Sequence, residues 1–338
     1  MAQTPVTPFR IDAIRTQMLR LPLEESRAIS REVTATADVL RVEIAAGDRV
    51  GHGEASPTAR YGESLAGLKR AVDASWPAIR TLATREDLAA IMPPGAARNA
   101  VDAALWDLEA KLTGESAEGG AATAPITTAY TIPIKAPAEA RRVAERERER
   151  PLIKVKLGHF EDDRARLEAI RLAAPDATLI VDANEGWRRE QLEVMAPIAR
   201  DLGVALIEQP LHREHDAALA GRDFGIPLCA DESCHTRAGL DAVADRYQFI
   251  NIKLDKSGGL TEALALAEAA QARGLGLMVG CTHGTTLAIA PAFILAQRCS
   301  FCDLDAPLFL AARESDEVAY DGSRVDWSPT RRWGLPQR

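Results

Sequence analysis

The chain has 338 residues, 46% of them hydrophobic and 27% charged, with a net charge of −8. Such values fit a soluble globular enzyme larger than one ordinary domain, and the acidic balance argues against nucleic acid or an anionic membrane as partner. With no apolar run of about 18 residues and no basic-then-apolar leader, neither a membrane span nor a secretion signal is expected, which predicts a cytoplasmic protein. The five cysteines (Cys229, Cys234, Cys281, Cys299, Cys302) include no CxxC pair with zinc-type partners and read as reduced thiols.

In chain order, residues 9–21 and 38–46 alternate or run apolar like antiparallel strands, and the polar stretch 24–34 between them reads as a loop. Helical patterns follow Gly51-His52-Gly53-Glu54, clearest over 99–108, where apolar residues recur at i, i+3, i+4 and i+7. This is an α+β block, residues 1–120, closed by the small, flexible linker 114–122. Strands and helices alternate from there. Strand candidates are 126–131, 152–157, 178–182, 205–208, 228–231, 249–253, 276–280 and 301–303, with helices such as 261–273 between them. Eight such strands predict an α/β barrel over 121–314. The polar tail 315–338 holds Trp327 and Trp333 and is expected to fold back on the first block.

Five motifs recur at the ends of the middle strands, about 22 to 27 residues apart, the length of one βα unit. They are Lys154-Val155-Lys156, Asp182-Ala183-Asn184, Glu208-Gln209-Pro210, Asp231-Glu232-Ser233 and Lys253-Leu254-Asp255. A barrel gathers its strand C-termini at one face, so these residues would share a pocket. Asp182, Glu208 and Asp231 are hard oxygen donors of the kind that hold one Mg²⁺ per subunit. Acids also open loops as helix caps, but three at consecutive strand ends favour the metal. Lys156 and Lys253 flank them as candidate bases. A lysine normally titrates near about 10.4, and a second cation, Mg²⁺ or Lys154, lowers that value. Solvated surface lysines, or a Schiff-base lysine, are the other readings; the latter leaves the three acids without a task.

Taken together, Lys154-Val155-Lys156, Val181-Asp182-Ala183-Asn184-Glu185, Ile207-Glu208-Gln209-Pro210, Ala230-Asp231-Glu232-Ser233 and Asn251-Ile252-Lys253 through Lys256-Ser257-Gly258-Gly259 resemble the enolase superfamily, in its muconate-lactonizing-enzyme subgroup. Within that subgroup the chain is similar to the dipeptide epimerases of the L-Ala-D/L-Glu type, also through Arg60-Tyr61-Gly62-Glu63-Ser64, the stretch 97–102 and Asp303-Leu304-Asp305. The resemblance implies a modified (β/α)7β barrel with an N-terminal α+β capping domain. Sites of this superfamily use a Lys or His base with Mg²⁺ to stabilise an ene-diolate. Carried over, Lys156 and Lys253 would move the α-proton on opposite faces of a small dipeptide or N-acyl amino acid. Asp303 and Asp305 would receive its terminal ammonium. Lys154, Asn184 and Glu232 would support the bases and the metal acids, and a homo-oligomer is compatible with all of this.

Two departures from the family stand out. Relatives that act on Ala-Glu carry an arginine in the capping loop. Here Thr34 lies near that place, with Arg27 and Arg31 earlier in the loop as candidates for binding a side-chain carboxylate. After Cys281 the chain reads Thr282-His283 where a methionine is expected, and His283 reads as a wall residue. Tyr61, Arg98 and Trp106 read as structural. The expected activity is a 1,1-proton-transfer epimerisation of a dipeptide, tied to cell-wall recycling. An N-acylamino acid racemase acting on, for example, N-acetylglutamate is the alternative. A lyase or cycloisomerase of the subgroup comes next, then a metal-binding structural protein.

Overall fold

The computed structural model describes residues 11–30, 32–82, 84–312 and 315–336. Strand β1 (Ala13–Ile29) runs antiparallel to β2 (Glu32–Ala46), and β2 to β3 (Arg49–Ala55), in one three-stranded sheet. The stretch 24–34 is therefore not a loop, as its polarity suggests. Apart from Arg31, which lies outside the described residues, it is the far end of a long hairpin, with Arg27 opposite Thr34 and Ile29 opposite Glu32. A register shift between Pro22 and Arg27 breaks the alternation there. A two-stranded ribbon satisfies its backbone bonds internally and needs no apolar face, so polar residues are tolerated.

The hairpin's base is anchored where Leu21, Leu23, Ala37 and Val39 bury against Leu310, beyond the last barrel strand. Helix Ala96–Thr113 lies on β3 so closely that a side chain at Gly51 or Gly53 would collide with the carbonyls of Ala104 and Ala100. That close approach explains the Gly-His-Gly sequence and the alanine-rich helix face.

Eight parallel strands form the second sheet in sequential order: β5 (Tyr130–Ile132), β6 (Leu152–Lys156), β7 (Thr178–Asp182), β8 (Val204–Glu208), β9 (Leu228–Ala230), β10 (Phe249–Lys253), β11 (Gly276–Gly280) and β12 (Phe301–Asp303). A parallel bridge between Thr128 and Cys302 closes the ring. A one-turn 3-10 segment, Ala306–Phe309, follows β12 where another helix would stand, which makes a (β/α)7β barrel. Inside it, Ala129, Leu152, Ile180, Leu206, Cys229 and Met278 form an apolar plug with Phe249 and Phe301. Because strand side chains alternate, the next inward residues along β6 and β10 are Lys154 and Asn251, and the ones after that are Lys156 and Lys253.

The expected strand 126–131 is split. Strand β4 (Ile126–Thr127) leaves the barrel and pairs with β14 (Arg324–Trp327), itself paired with β13 (Val318–Asp321). The tail touches both parts of the molecule. Trp333 is buried and donates its Nε1–H to Ala103 O at 3.1 Å in the first block, while Trp327 packs edge-on against Phe293 of a barrel helix, 4.6 Å between ring centroids. Among the described residues no helix is long and apolar enough to cross a membrane.

Candidate active site

Strand register sets the site. Lys156 is level with Asp182, and Asp182 with Glu208, across β6, β7 and β8; Lys253 is level with Gly280, and Gly280 with Asp303, across β10, β11 and β12. Asp231 follows directly on β9. Oxygens of Asp182, Glu208 and Asp231 lie within 4.8 Å of one another, and all three acids are buried. Lys156 Nζ stands 2.6 Å from Asp182 Oδ2 on one flank, and Lys253 Nζ stands 2.7 Å from Asp231 Oδ2 on the other. Below them the fully buried Lys154 contacts Asp303 at 2.6 Å, Glu208 at 2.7 Å and Asp182 at 3.2 Å.

Burial opposes charge on every one of these groups, and the neighbours decide the outcome. For Asp182, Lys156 and Lys154 outweigh burial and hold the carboxyl below its usual range; for Asp231, Lys253 and Lys256 do the same more strongly. Glu208 differs. Burial, then the charges of Asp182 and Asp231, push it up to about 7 in spite of Lys154. Three buried acids whose oxygens converge on one point are hard donors that suit a divalent cation such as Mg²⁺. Burial lowers Lys253, but Asp231 and Glu208 outweigh it and keep the amine above its ordinary value.

The pair after β12 lies close by. Asp303 Oδ1 accepts from Thr131 Oγ1 at 3.3 Å, and Asp305 Oδ2 accepts from Thr131 N at 2.7 Å. Lys154 and then Lys156 overcome burial to hold Asp303 below its usual range, whereas burial and the charge of Asp303 push Asp305 up to about 6. Arg27 reaches over from the hairpin. Its guanidinium lies 3.3 Å from the centroid of the Phe309 ring and donates to Thr131 O at 2.8 Å. A cavity of about 470 Å³ opens between Lys156, Lys253, Asp303 and Asp305 on the barrel side and Arg27 and Thr34 on the hairpin side. His283 lines it too, and burial followed by Arg27 and Lys156 drives its imidazole down to about 4, so it is neutral.

Asn184 and Glu232 come together beside Asp182. Asn184 N donates to Asp182 Oδ1 at 2.8 Å, and its Nδ2 lies 3.5 Å from Glu232 Oε1. Two strand-end turns are strained: Asn184 and Glu185 after β7, and Gln209 after β8, have φ of 44°, 66° and 32°. Left-handed backbone outside glycine costs on the order of 1–3 kcal/mol per residue and persists where the surroundings over-determine it. Here Arg60 clamps Glu185 with bonds of 2.7 and 3.0 Å, and the Gln209 side chain accepts from Asp231 N at 2.9 Å and donates to Ser233 Oγ at 2.8 Å.

The motif spacing assigns no role to three residues that hold the acids. Gln209 is one. Asn251 donates its Nδ2–H to Glu208 Oε1 at 2.8 Å, and Lys256 Nζ donates to Asp231 Oδ1 at 2.7 Å. Period two from Lys253 was a signal for Asn251; nothing in the spacing marks Lys256. Arg98 is structural, its Nε bonded to Gly258 O at 2.9 Å, and so is Trp106, whose Nε1–H donates to Thr261 Oγ1 at 2.9 Å.

A barrel that collects three acids around one point, with an amine on either flank and a lidded cavity above, has the makings of an enzyme site that holds a hard cation. Residues 135–325 match the family described as Enolase C-terminal domain-like. The chain is 47% identical to the L-Ala-D/L-Glu epimerase of Escherichia coli (strain K12) over 86% of its length and 92% of that protein. It is 39% identical to the N-acetyl-D-glutamate racemase of a Pseudoalteromonas species over 87% and 94%. An enolase family member from Agrobacterium tumefaciens with homology to dipeptide epimerases, solved with bound sodium and L-Ala-L-Glu, superposes with a TM-score of 0.91 at 44% identity, covering 95% of this chain and 99% of that one. The dipeptide epimerase of Methylococcus capsulatus, complexed with Mg and the dipeptide L-Arg-D-Lys, gives 0.88 at 30% identity over 97% and 99%. The chain belongs to the enolase superfamily, alongside its dipeptide epimerases.

Proposed function

We propose that this chain is a Mg²⁺-dependent, cytoplasmic dipeptide epimerase of the L-Ala-D/L-Glu type. As an isomerase, it moves the proton on the carbon next to the substrate carboxylate. The reading is carried by one observation: two lysine ammoniums flank the same three buried acids, one against Asp182 and one against Asp231, each at hydrogen-bond distance. The epimerase relatives and the dipeptides bound in the related structures support it.

Asp182, Glu208 and Asp231 would hold Mg²⁺, which supplies the positive charge that offsets the second negative charge arising when a carboxylate loses its α-proton. Lys156 takes that proton from one face and Lys253 returns one on the other. An amine must be neutral to act as a base. The charges of Asp231 and Glu208 keep Lys253 protonated, and once they are neutralised, burial, the largest influence on it, together with Lys154 favours the neutral form.

Lys154 sits beneath and ties Asp182, Glu208 and Asp303 together, while Asn184 and Glu232 steady the turn after β7. Asp303 and Asp305 hold the terminal ammonium of the dipeptide. Arg27 takes a side-chain carboxylate; Arg31 lies outside the described residues. Residues 1–120, with the tail 315–338, act as the cap on the barrel 121–314. Peptides released in cell-wall turnover are the fitting source of substrate.

Incubating the protein with L-Ala-L-Glu and Mg²⁺ in D₂O tests this: the dipeptide gains one mass unit and epimerises, and chelation stops both. The racemase relative favours a second reading, N-acylamino acid racemisation on the same site. Such a substrate has no ammonium for the aspartate pair, so good turnover of N-acetylglutamate with almost none of L-Ala-L-Glu would replace the first reading by the second.

A further inference from the structure

The two oxygens of each clustered acid are used differently. One faces the lysines: Asp182 Oδ2 meets Lys156 at 2.6 Å, Glu208 Oε2 meets Lys154 at 2.7 Å, and Asp231 Oδ2 meets Lys253 at 2.7 Å. The other is held by a separate donor: Asp182 Oδ1 by Asn184 N at 2.8 Å, Glu208 Oε1 by Asn251 Nδ2 at 2.8 Å, and Asp231 Oδ1 by Lys256 Nζ at 2.7 Å. The first of these donors is main chain and comes with the turn. The other two are side chains.

Both side chains are themselves fixed. Asn251 is fully buried two residues before Lys253, and a Cβ on Gly280, on the neighbouring strand, would come within 2.8 Å of its Oδ1 and 3.0 Å of Lys253 Cε. Any larger residue at Gly280 would push on the Asn251 amide and on Lys253. Lys256 stands in the single helical turn after β10, nearly buried, with its ammonium shared among Asp231 O, Cys234 O at 3.0 Å and Asn251 O at 3.0 Å. Arg98 braces that turn by donating to Ser257 O at 2.5 Å and Gly258 O at 2.9 Å.

We propose that Asn251 and Lys256 are positioning residues for the metal: each holds one oxygen of Glu208 or Asp231 and so turns the other oxygen toward the cation. The proposal rests on the Mg²⁺-dependent reading above. A carboxylate that loses this partner is held at one oxygen only, and partners of this kind typically carry about 10–100-fold in metal affinity. Charge alone makes the opposite demand on Lys256. An ammonium beside a ligand acid repels a dication, so a lysine acting only as a charge would tighten Mg²⁺ binding when removed. Asn251 is uncharged and reports positioning alone.

The test is calorimetric titration of the metal-stripped full-length protein with Mg²⁺, for the wild type, Asn251→Ala and Lys256→Met, each checked for fold by circular dichroism. Both variants are expected to bind Mg²⁺ about 10–100-fold more weakly. Unchanged affinity in Asn251→Ala, or tighter binding in Lys256→Met, overturns the proposal. Lys256 also holds three main-chain carbonyls, so its removal can unfold the loop; Asn251→Ala leaves those bonds in place and then decides alone. A wild type that takes up no Mg²⁺ would instead overturn the proposed function itself, so the two failures are distinguishable.

Discussion

The two walls of the cavity are built on different physics. On the barrel wall, buried charges hold one another: Lys154 alone meets three carboxylates within 3.2 Å, and each clustered acid has both oxygens engaged. On the cap wall, the hairpin carries half-exposed groups, with Val33 at 71% exposure near its tip and Arg27 resting on an aromatic ring. A network of the first kind cannot lose one member without leaving another charge buried and unpaired. A ribbon of the second kind can change residues at little cost to the fold. The expectation is that the chemistry belongs to the barrel wall, while the cap wall sets which side chain is accepted.

The largest effects should come from the two lysines. Lys156→Ala and Lys253→Ala are each expected to lower turnover by about 10²–10⁴-fold, the usual contribution of a positioned acid or base. Each variant should also be one-sided: in D₂O it exchanges the α-proton of one epimer at most, read by NMR. Equal residual exchange of both epimers in either variant would mean that a third group does the chemistry, and the division between the walls would break.

The barrel wall was also far easier to see in the sequence than the cap wall, for a physical reason. Strand ends recur at the βα period, and inward-facing residues recur every two, so Lys154 with Lys156, Asp182, Glu208, Asp231 and Lys253 could be placed on one face of a barrel from spacing alone. The hairpin gives no such signal. A solvated ribbon has no apolar face to alternate, and the register shift between Pro22 and Arg27 removes what alternation remains, so 24–34 looked like a loop. Lys256 was hidden for another reason: it reaches Asp231 by folding back from a one-turn helix, a contact that no sequence period encodes. The split of 126–131 between barrel and tail sheet depends on a partner strand some 200 residues away, Val325 opposite Ile126.

Next in size come the aspartates after β12, which belong to the barrel wall but would bind rather than react. Asp303→Asn also strips the buried Lys154 of a partner at 2.6 Å and so disturbs the chemistry with any substrate. Asp305→Asn removes one charged partner of the ammonium, at a cost of about 2–5 kcal/mol, so kcat/KM for L-Ala-L-Glu should fall by roughly 30-fold or more. That variant should turn over an N-acetyl amino acid almost as before. An equal loss with both substrates would mean that Asp305 acts on the chemistry rather than on the ammonium.

A smaller effect follows from pH. Burial and Asp303 push Asp305 up to about 6, so it gains a proton as pH falls through that value and can no longer meet an ammonium with charge. The kcat/KM for a dipeptide should therefore decline below about pH 6, by up to tenfold per unit, with the decline removed in Asp305→Asn. A limb that survives unchanged in Asp305→Asn must belong to another group.

The smallest effect on the reaction, and the sharpest probe of the cap wall, is expected from Arg27→Gln. Arg27 touches none of Asp182, Glu208 and Asp231; it donates to Thr131 O, rests on the Phe309 ring and feels the charge of Asp305. If it holds a substrate side-chain carboxylate, its loss removes one charged hydrogen-bonding partner worth about 1.5–3 kcal/mol, and KM for L-Ala-L-Glu should rise by roughly tenfold or more. The kcat should hardly move, because that interaction is the same before and during proton transfer. A dipeptide with an uncharged second side chain should bind as well as to the wild type. The ring contact is worth about 0.5–1 kcal/mol, so the melting temperature should shift by no more than about 3 °C. A rise in KM that ignores the substrate's side chain would make Arg27 a brace for Thr131. A fall in kcat would show that the hairpin reaches into the chemistry, and that the two walls are one.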